Sequence, residues 1–220
     1  MSFKNSMNID SIIVSDFLDD PDAVRSWVIG NCEKGFLNFN LKGNYPGKRT
    51  YQLANIDYRS MVESKLKQIL PFKFKMDMED SDTYAFQLCL ENEMTWVHVD
   101  DFSDWAGILY LTPNAPLESG TLMYKEEYKP VLRKMSLKIN RLALDLNKAK
   151  TLDDEDKIYK EMDSLMEGFT EFTTQVNNIY NRLILLRGSC LPHRSNIPGF
   201  GNSLENGRLT QVFFFNEVTE

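Results

Sequence analysis

Arg208-Leu209-Thr210-Gln211-Val212-Phe213-Phe214-Phe215 reads as an apolar β-strand opened by a charge. Side chains alternate across a strand, so Arg208 and Thr210 share one face. Working back from this stretch, period-two segments recur at Leu183–Arg187, Thr121–Tyr124, Ala106–Leu111, Thr95–Val99, Thr83–Glu91 and Phe72–Met78, several bounded by Gly, Pro, Asn or Asp. The part before Phe72 differs. Ser11–Val14 reads as a strand, and Asp19-Asp20-Pro21-Asp22 announces a helix to about Gly30 by an aspartate cap and Pro in the first turn. A second helix spans about Tyr58–Ile69 and stops at Pro71, while Gly43–Thr50 (GNYPGKRT) is punctuated by Gly and Pro and reads as a loop. Two helices followed by closely spaced short strands predict a mainly β fold with α, a sandwich or jelly roll with helices packed outside.

One segment breaks that pattern. After Pro130 neither Gly nor Pro occurs until Gly168, and Met135, Ile139, Leu142 and Leu146 recur at helical spacing, as do Ile158, Met162, Leu165, Phe169 and Phe172. A helical hairpin inserted over 129–175 and turning near Thr151–Glu155 follows. Lys129–Lys150 holds seven basic residues and one acidic (net +6), and Thr151–Glu171 eight acidic and two basic (net −6). Antiparallel packing sets these opposite charges side by side. Four readings of the hairpin stand: a solvated arm with one apolar seam, a lid, a partner-binding arm, or a homo-oligomer contact.

The 220 residues, 42% hydrophobic and 26% charged with net charge −7, predict one globular domain over 1–220 and exclude collagen, coiled coil and wholesale disorder. No run approaches the roughly 18 apolar residues of a membrane span, and Met1–Asp16 lacks the apolar core of a signal peptide. Cys32, Cys89 and Cys190 fit no disulfide framework. A cytoplasmic protein with no membrane association is expected. The acidic balance argues against general nucleic-acid binding.

The chain has two histidines, His98 and His193. In His98-Val99-Asp100 an extended backbone points imidazole and carboxylate to one face, while Asp101 points away. If the fold brings His193 alongside, two imidazoles and one carboxylate occupy one side of a metal. That is the facial triad of non-haem iron(II) oxygenases, whose other positions stay open. Arg208, at the mouth of an apolar barrel, needs an anion, and a guanidinium is shaped for a bidentate carboxylate.

In order along the chain, His98-Val99-Asp100, Gly107-Ile108-Leu109-Tyr110-Leu111, Ser119-Gly120-Thr121-Leu122, Tyr180-Asn181-Arg182-Leu183-Ile184-Leu185, His193 and Arg208-Leu209-Thr210 resemble the 2-oxoglutarate and iron(II)-dependent dioxygenases, on their prolyl-hydroxylase-like side. Tyr45-Pro46-Gly47, Asn181-Arg182-Leu183, His193-Arg194-Ser195, Phe200-Gly201 and the terminal RLTQVFFF look like an uncharacterised subgroup found in bacteria and phages. The resemblance covers about Ile9–Asn216 outside the hairpin. It implies a double-stranded β-helix, Fe(II) held by His98, Asp100 and His193, and 2-oxoglutarate bound through its distal carboxylate by Arg208, with Thr210 and Tyr110 donating hydroxyl hydrogen bonds. It implies O₂ as co-reactant, succinate and CO₂ as products, and hydroxylation of a small molecule or a protein or peptide side chain. Two departures stand out: the insertion after Gly120, and a wide gap between His193 and Arg208 made by Asn196–Asn206.

Two other classes remain open. One is a noncatalytic metal-binding jelly roll that serves as an interaction module. The other is a zinc-stabilised binding protein with Cys89, Cys190, His98 and His193 as a Cys₂His₂ site. For the substrate, Lys42, Lys48, Arg49 and Arg59, interleaved with Tyr45, Tyr51 and Tyr58, form either a basic recognition lip or a plain surface loop. Trp96 either walls the site or fills the core, and Trp105 is expected at the entrance.

Overall fold

The computed structural model describes residues 9–218 apart from 36, 44, 54, 80 and 81. The strands are β1 (Ser11–Val14), β2 (Leu41–Gly43), β3 (Tyr45–Arg49), β4 (Phe74–Met76), β5 (Phe86–Cys89), β6 (Trp105–Tyr110), β7 (Thr121–Tyr124), β8 (Phe172–Val176), β9 (Leu183–Leu186), β10 (His193–Ser195) and β11 (Arg208–Glu217). The helices are α1 (Pro21–Glu33), α2 (Ile56–Ile69), α3 (Lys129–Leu146) and α4 (Leu152–Met166). Among the described residues the strands form two antiparallel sheets. The larger runs β1-β9-β6-β11-β5-β3-β2 with β4 also on β11, and the smaller runs β10-β7-β8. This is the mixed jelly-roll architecture of a double-stranded β-helix.

The alternation in β11 sorts its side chains between two cores. Leu209, Phe213 and Phe215 point to one face and pack with Val28 of α1 and Val62 and Leu66 of α2. Val212 and Phe214 point to the other and meet Tyr110, Ile184, Leu186 and, from the smaller sheet, Met123 and Val176. Each fully buried Phe contributes about 1.5–3 kcal/mol. Gln211 lies on the helix-facing side of this apolar strand, and its amide is satisfied there: Tyr58 donates its phenol to Oε1 and Nε2 donates to the Tyr84 carbonyl.

A third core lies on the far side of the smaller sheet. Leu122 and Tyr124 of β7, with Trp96 and Val97, pack under Leu132, Ile139 and Leu142 of α3 and Met162 and Met166 of α4. The layers are therefore helices, large sheet, small sheet and hairpin, with the jelly-roll interior between the sheets. Lys138 of α3 and Glu161 of α4 pair at 3.0 Å, the juxtaposition that the charge pattern predicts, and being exposed it contributes about 0–1 kcal/mol. Asp20 caps α1 by accepting from the Ala23 amide at 2.8 Å. No described helix is long and apolar enough to cross a membrane.

Several segments differ from expectation. Tyr45–Arg49, read as part of a loop, is strand β3, paired to β5 at Lys48↔Leu88 and Arg49↔Gln87; Asn44, in the same reading, lies outside the described residues. Gly47 explains how the stretch holds both. It has φ +72°, and a Cβ there would sit 2.2 Å from the Leu88 carbonyl oxygen, so glycine lets the strand close against β5. Phe172, placed on the hairpin's apolar seam, begins β8, which pairs with β7, and helix α4 ends at Met166. Thr95–Val99 carries one isolated bridge, His98↔His193, rather than a full strand.

Candidate metal centre

His98 and His193 face each other across that bridge. The His98 amide donates to the His193 carbonyl at 3.0 Å, and the His193 amide to the His98 carbonyl at 2.9 Å. Paired positions share a face, so the rings lie together with centroids 4.4 Å apart. Two residues along, Asp100 is fixed by its amide donating to the Gly188 carbonyl at 2.9 Å. The three side chains offer donor atoms that all lie within 4.8 Å of one another.

Each imidazole has one nitrogen committed. Nδ1 of His98 lies 3.0 Å from the Trp96 carbonyl and Nδ1 of His193 lies 3.0 Å from the Leu191 carbonyl. A carbonyl only accepts, so both Nδ1 atoms carry the proton and both Nε2 atoms face inward, His98 Nε2 4.0 Å and His193 Nε2 3.3 Å from Asp100 oxygens. Such carbonyl partners fix the tautomer of metal-binding histidines and raise their basicity. Burial, and next the positive charge of His193, lower the His98 pKa to about 4. Burial opposes charge on Asp100, but the hydrogen bond and charge of His193, with His98 and Arg49, outweigh it and pull the carboxyl down to about 2. Burial lowers His193, and its hydrogen bond to Asp100 more than compensates, leaving it raised. Two neutral-capable nitrogens and a persistent carboxylate suit a divalent first-row metal, so the residues fit the iron expected from the sequence.

A cleft of about 580 Å³, part of it open to solvent, runs from this triad into the barrel and is lined by Arg208 and Thr210. Its floor is a polar row across the strands: Arg49 pairs with Gln87, Gln87 with Thr210, and Thr210 with Tyr110. Arg49 Nε and one terminal nitrogen each donate to Gln87 Oε1 at 3.1 Å, its other terminal nitrogen donates to Asp82 at 2.6 Å, and it stacks 3.9 Å over the Tyr45 ring. At the far end Tyr110 and Thr121 share a hydroxyl hydrogen bond of 2.7 Å. Arg208 is 6% exposed, donates Nε to the Ser119 carbonyl at 3.1 Å and lies 5.7 Å over the Tyr110 ring. No carboxylate among the described residues forms an ion pair with it.

The structure overturns one sequence expectation and decides between the readings left open for others. Trp105 is 1% exposed, packs in the helix-facing core and donates to Glu217 at 2.8 Å, so Phe102 rather than Trp105 stands at the site's edge, 52% exposed. Trp96 fills the hairpin core at 2% exposure. The basic lip separates: Arg49 is built into the cleft, Arg59 stacks over Tyr84, and Tyr51 is exposed, while the Lys42 side chain lies outside the described residues. Neither cysteine joins the triad. Cys89 Sγ donates to the Glu93 carbonyl, and Cys190 Sγ accepts from Lys129. Cys89 is pushed up to about 12 by burial, the opposite of what a zinc thiolate needs.

Residues 6–215 match one protein family over nearly the whole chain. The chain belongs to DUF6445, a family of unknown function. Among proteins of curated function none matches. Among solved structures this DUF6445 chain is similar to HygX from Streptomyces hygroscopicus with nickel, 2-oxoglutarate and hygromycin B bound, at TM-score 0.56 and 12% identity over 95% of this chain and 83% of that one. It is similar to a prolyl hydroxylase from Trichoplax adhaerens in complex with a peptide of hypoxia inducible factor, at 0.54 and 12% over 94% and 83%. The non-heme alpha ketoglutarate dependent epimerase SnoN from nogalamycin biosynthesis follows at 0.53 and 10% over 96% and 78%. At such identity the likeness establishes the fold alone: this chain shares the jelly-roll fold of these structures.

Gln87 and Thr121 escaped the sequence reading as site residues, and Arg49 entered it only as part of a basic lip or a plain surface loop. Their signal was weak: Arg49 lay in an apparent loop, and Gln87 and Thr121 are single polar residues within apolar strands.

Proposed function

We propose that this protein is a 2-oxoglutarate-dependent, non-haem iron(II) dioxygenase that hydroxylates a small molecule or a protein side chain. The observation that carries the reading is the buried guanidinium of Arg208, without an ion-pair partner among the described residues, in the same cleft as a triad whose two Nε2 atoms converge on Asp100. Bound iron with 2-oxoglutarate and O₂ supplies oxidising power: one oxygen atom converts 2-oxoglutarate to succinate and CO₂, and the other enters a substrate C–H bond.

The chain's own residues do the rest. His98, Asp100 and His193 hold the metal on one side only, because their backbone hydrogen bonds place all three on adjoining faces. Arg208 takes the distal carboxylate of 2-oxoglutarate, and Thr210 lines the same cleft. Tyr110 acts through its hydrogen bond to Thr121, whose side chain lines the cleft. Arg49 and Gln87 keep the polar floor rigid by satisfying each other. Orientation and exclusion of bulk water are the protein's share of such chemistry.

The test is anaerobic addition of ferrous iron and 2-oxoglutarate, followed by oxygen. A visible charge-transfer band requiring both components, then succinate in step with 2-oxoglutarate loss, is expected. Tight metal binding with neither band nor succinate would instead favour a noncatalytic metal-binding module.

A further inference from the structure

A second cleft, about 1180 Å³ including its open mouth, adjoins the triad between the His98–Phe102 segment and helix α3. Both clefts are bordered by His98, Asp100, Tyr45 and Arg49, so the triad sits at their junction. Leu132 and Ile139 seat α3 on the hairpin core. The helical repeat then brings Arg133, Ser136 and Asn140 to one side, where all three border this second cleft. The hairpin thus forms one wall of this second cleft.

The charges of that space come in opposed pairs. Arg49 is bound to Asp82 at 2.6 Å, deep and largely buried. Arg133 meets Asp101 at 3.3 Å through a single contact, with side chains 60% and 47% exposed. Asp101 directly follows the triad residue Asp100, and Arg133 stands on the facing helix, so this pair spans the cleft beside the triad. An exposed single-contact pair of this kind contributes little and opens readily. An anion alone would satisfy Arg133 and leave Asp101 facing it, and a cation alone would do the reverse. A ligand carrying both charges replaces both halves.

We propose, resting on the oxygenase reading, that the second cleft is a substrate site for a zwitterion of the amino-acid type, its ammonium on Asp101 and its carboxylate on Arg133. The Arg133–Asp101 pair closes the empty site and exchanges partners when the ligand enters. Ser136 and Asn140 add hydrogen-bonding groups along α3, and exposed Phe102, packed at 4.8 Å on Phe214, offers an apolar surface to the remainder of the ligand.

The test uses the full chain loaded with Ni(II) and 2-oxoglutarate without oxygen. Calorimetry and thermal shift are read against the free proteinogenic amino acids, their N-acetyl forms and their methyl esters. At least one free amino acid is expected to bind while its singly charged derivatives do not, and Arg133→Gln and Asp101→Asn should each weaken it about tenfold or more, as for loss of one charge-assisted contact. Lys138→Gln, on the α4 side of the helix, should leave binding unchanged. The proposal is overturned if no free amino acid binds, if capped forms bind equally well, or if both variants bind as wild type does; the pair is then only a strap on the hairpin. Retention of 2-oxoglutarate binding in every sample separates these results from failure of the oxygenase reading, with which the proposal would also fall.

Discussion

His98 and His193 exchange both backbone hydrogen bonds, at 3.0 and 2.9 Å, and each donates Nδ1–H to the carbonyl two residues before it. One isolated bridge therefore sets the spacing of the two rings, their tautomers and the direction of both inner nitrogens. Because the backbone does this work, the side chains can be exchanged without dismantling the fold.

His98→Ala and Asp100→Ala should therefore each remove stoichiometric Fe(II) binding and turnover while the far-ultraviolet circular dichroism spectrum stays that of the parent. A variant that binds one iron per chain with unaltered affinity would show that its missing group is no ligand.

Arg208→Ala should raise the concentration of 2-oxoglutarate needed for half-saturation by about 10- to 100-fold, since hydrogen bonds to a charged partner are worth about 1.5–3 kcal/mol. Metal affinity should hardly change. The measurement is calorimetric titration of the Ni(II)-loaded protein; an unchanged constant removes the anchoring role.

Phe213 belongs to a different core from the cleft, fully buried against Tyr84 with ring centroids 5.6 Å apart. Phe213→Ala should cost about 3–5 kcal/mol in urea denaturation. Under conditions where the variant is folded, its metal stoichiometry should remain that of wild type.

Gly47→Ala places a methyl 2.2 Å from the Leu88 carbonyl oxygen at a φ of +72°. The left-handed conformation alone costs about 1–2 kcal/mol, and β3 must shift to relieve the contact. Since β3 carries Arg49, weaker 2-oxoglutarate binding should accompany the loss of stability. Loss of stability alone would mean that Arg49 keeps its place.

What could be seen in the sequence depended on how local the signal was. The alternation of β11 is a property of consecutive residues, so its two faces, with Arg208 and Thr210 on one, were legible. So was the hairpin, where periodicity ran without Gly or Pro from Val131 to Glu167. His98 and Asp100 could be paired from their spacing, whereas the arrival of His193 rested on resemblance, because antiparallel pairing across such a separation leaves no local trace. Pro46 and Gly47 concealed β3 and with it Arg49, since glycine here serves close approach to β5 and not a turn. Trp105 looked like a loop residue because its core partners, Phe72 and Phe215, are remote in the chain.

The most direct measurement is a crystal structure of the protein grown anaerobically with Fe(II) and 2-oxoglutarate, with the metal located by its anomalous scattering. We expect one iron bound by His98 Nε2, Asp100 and His193 Nε2, with the distal carboxylate of 2-oxoglutarate on Arg208. Iron bound elsewhere, or 2-oxoglutarate lying away from Arg208 with the triad still hydrogen-bonded to itself, would contradict it.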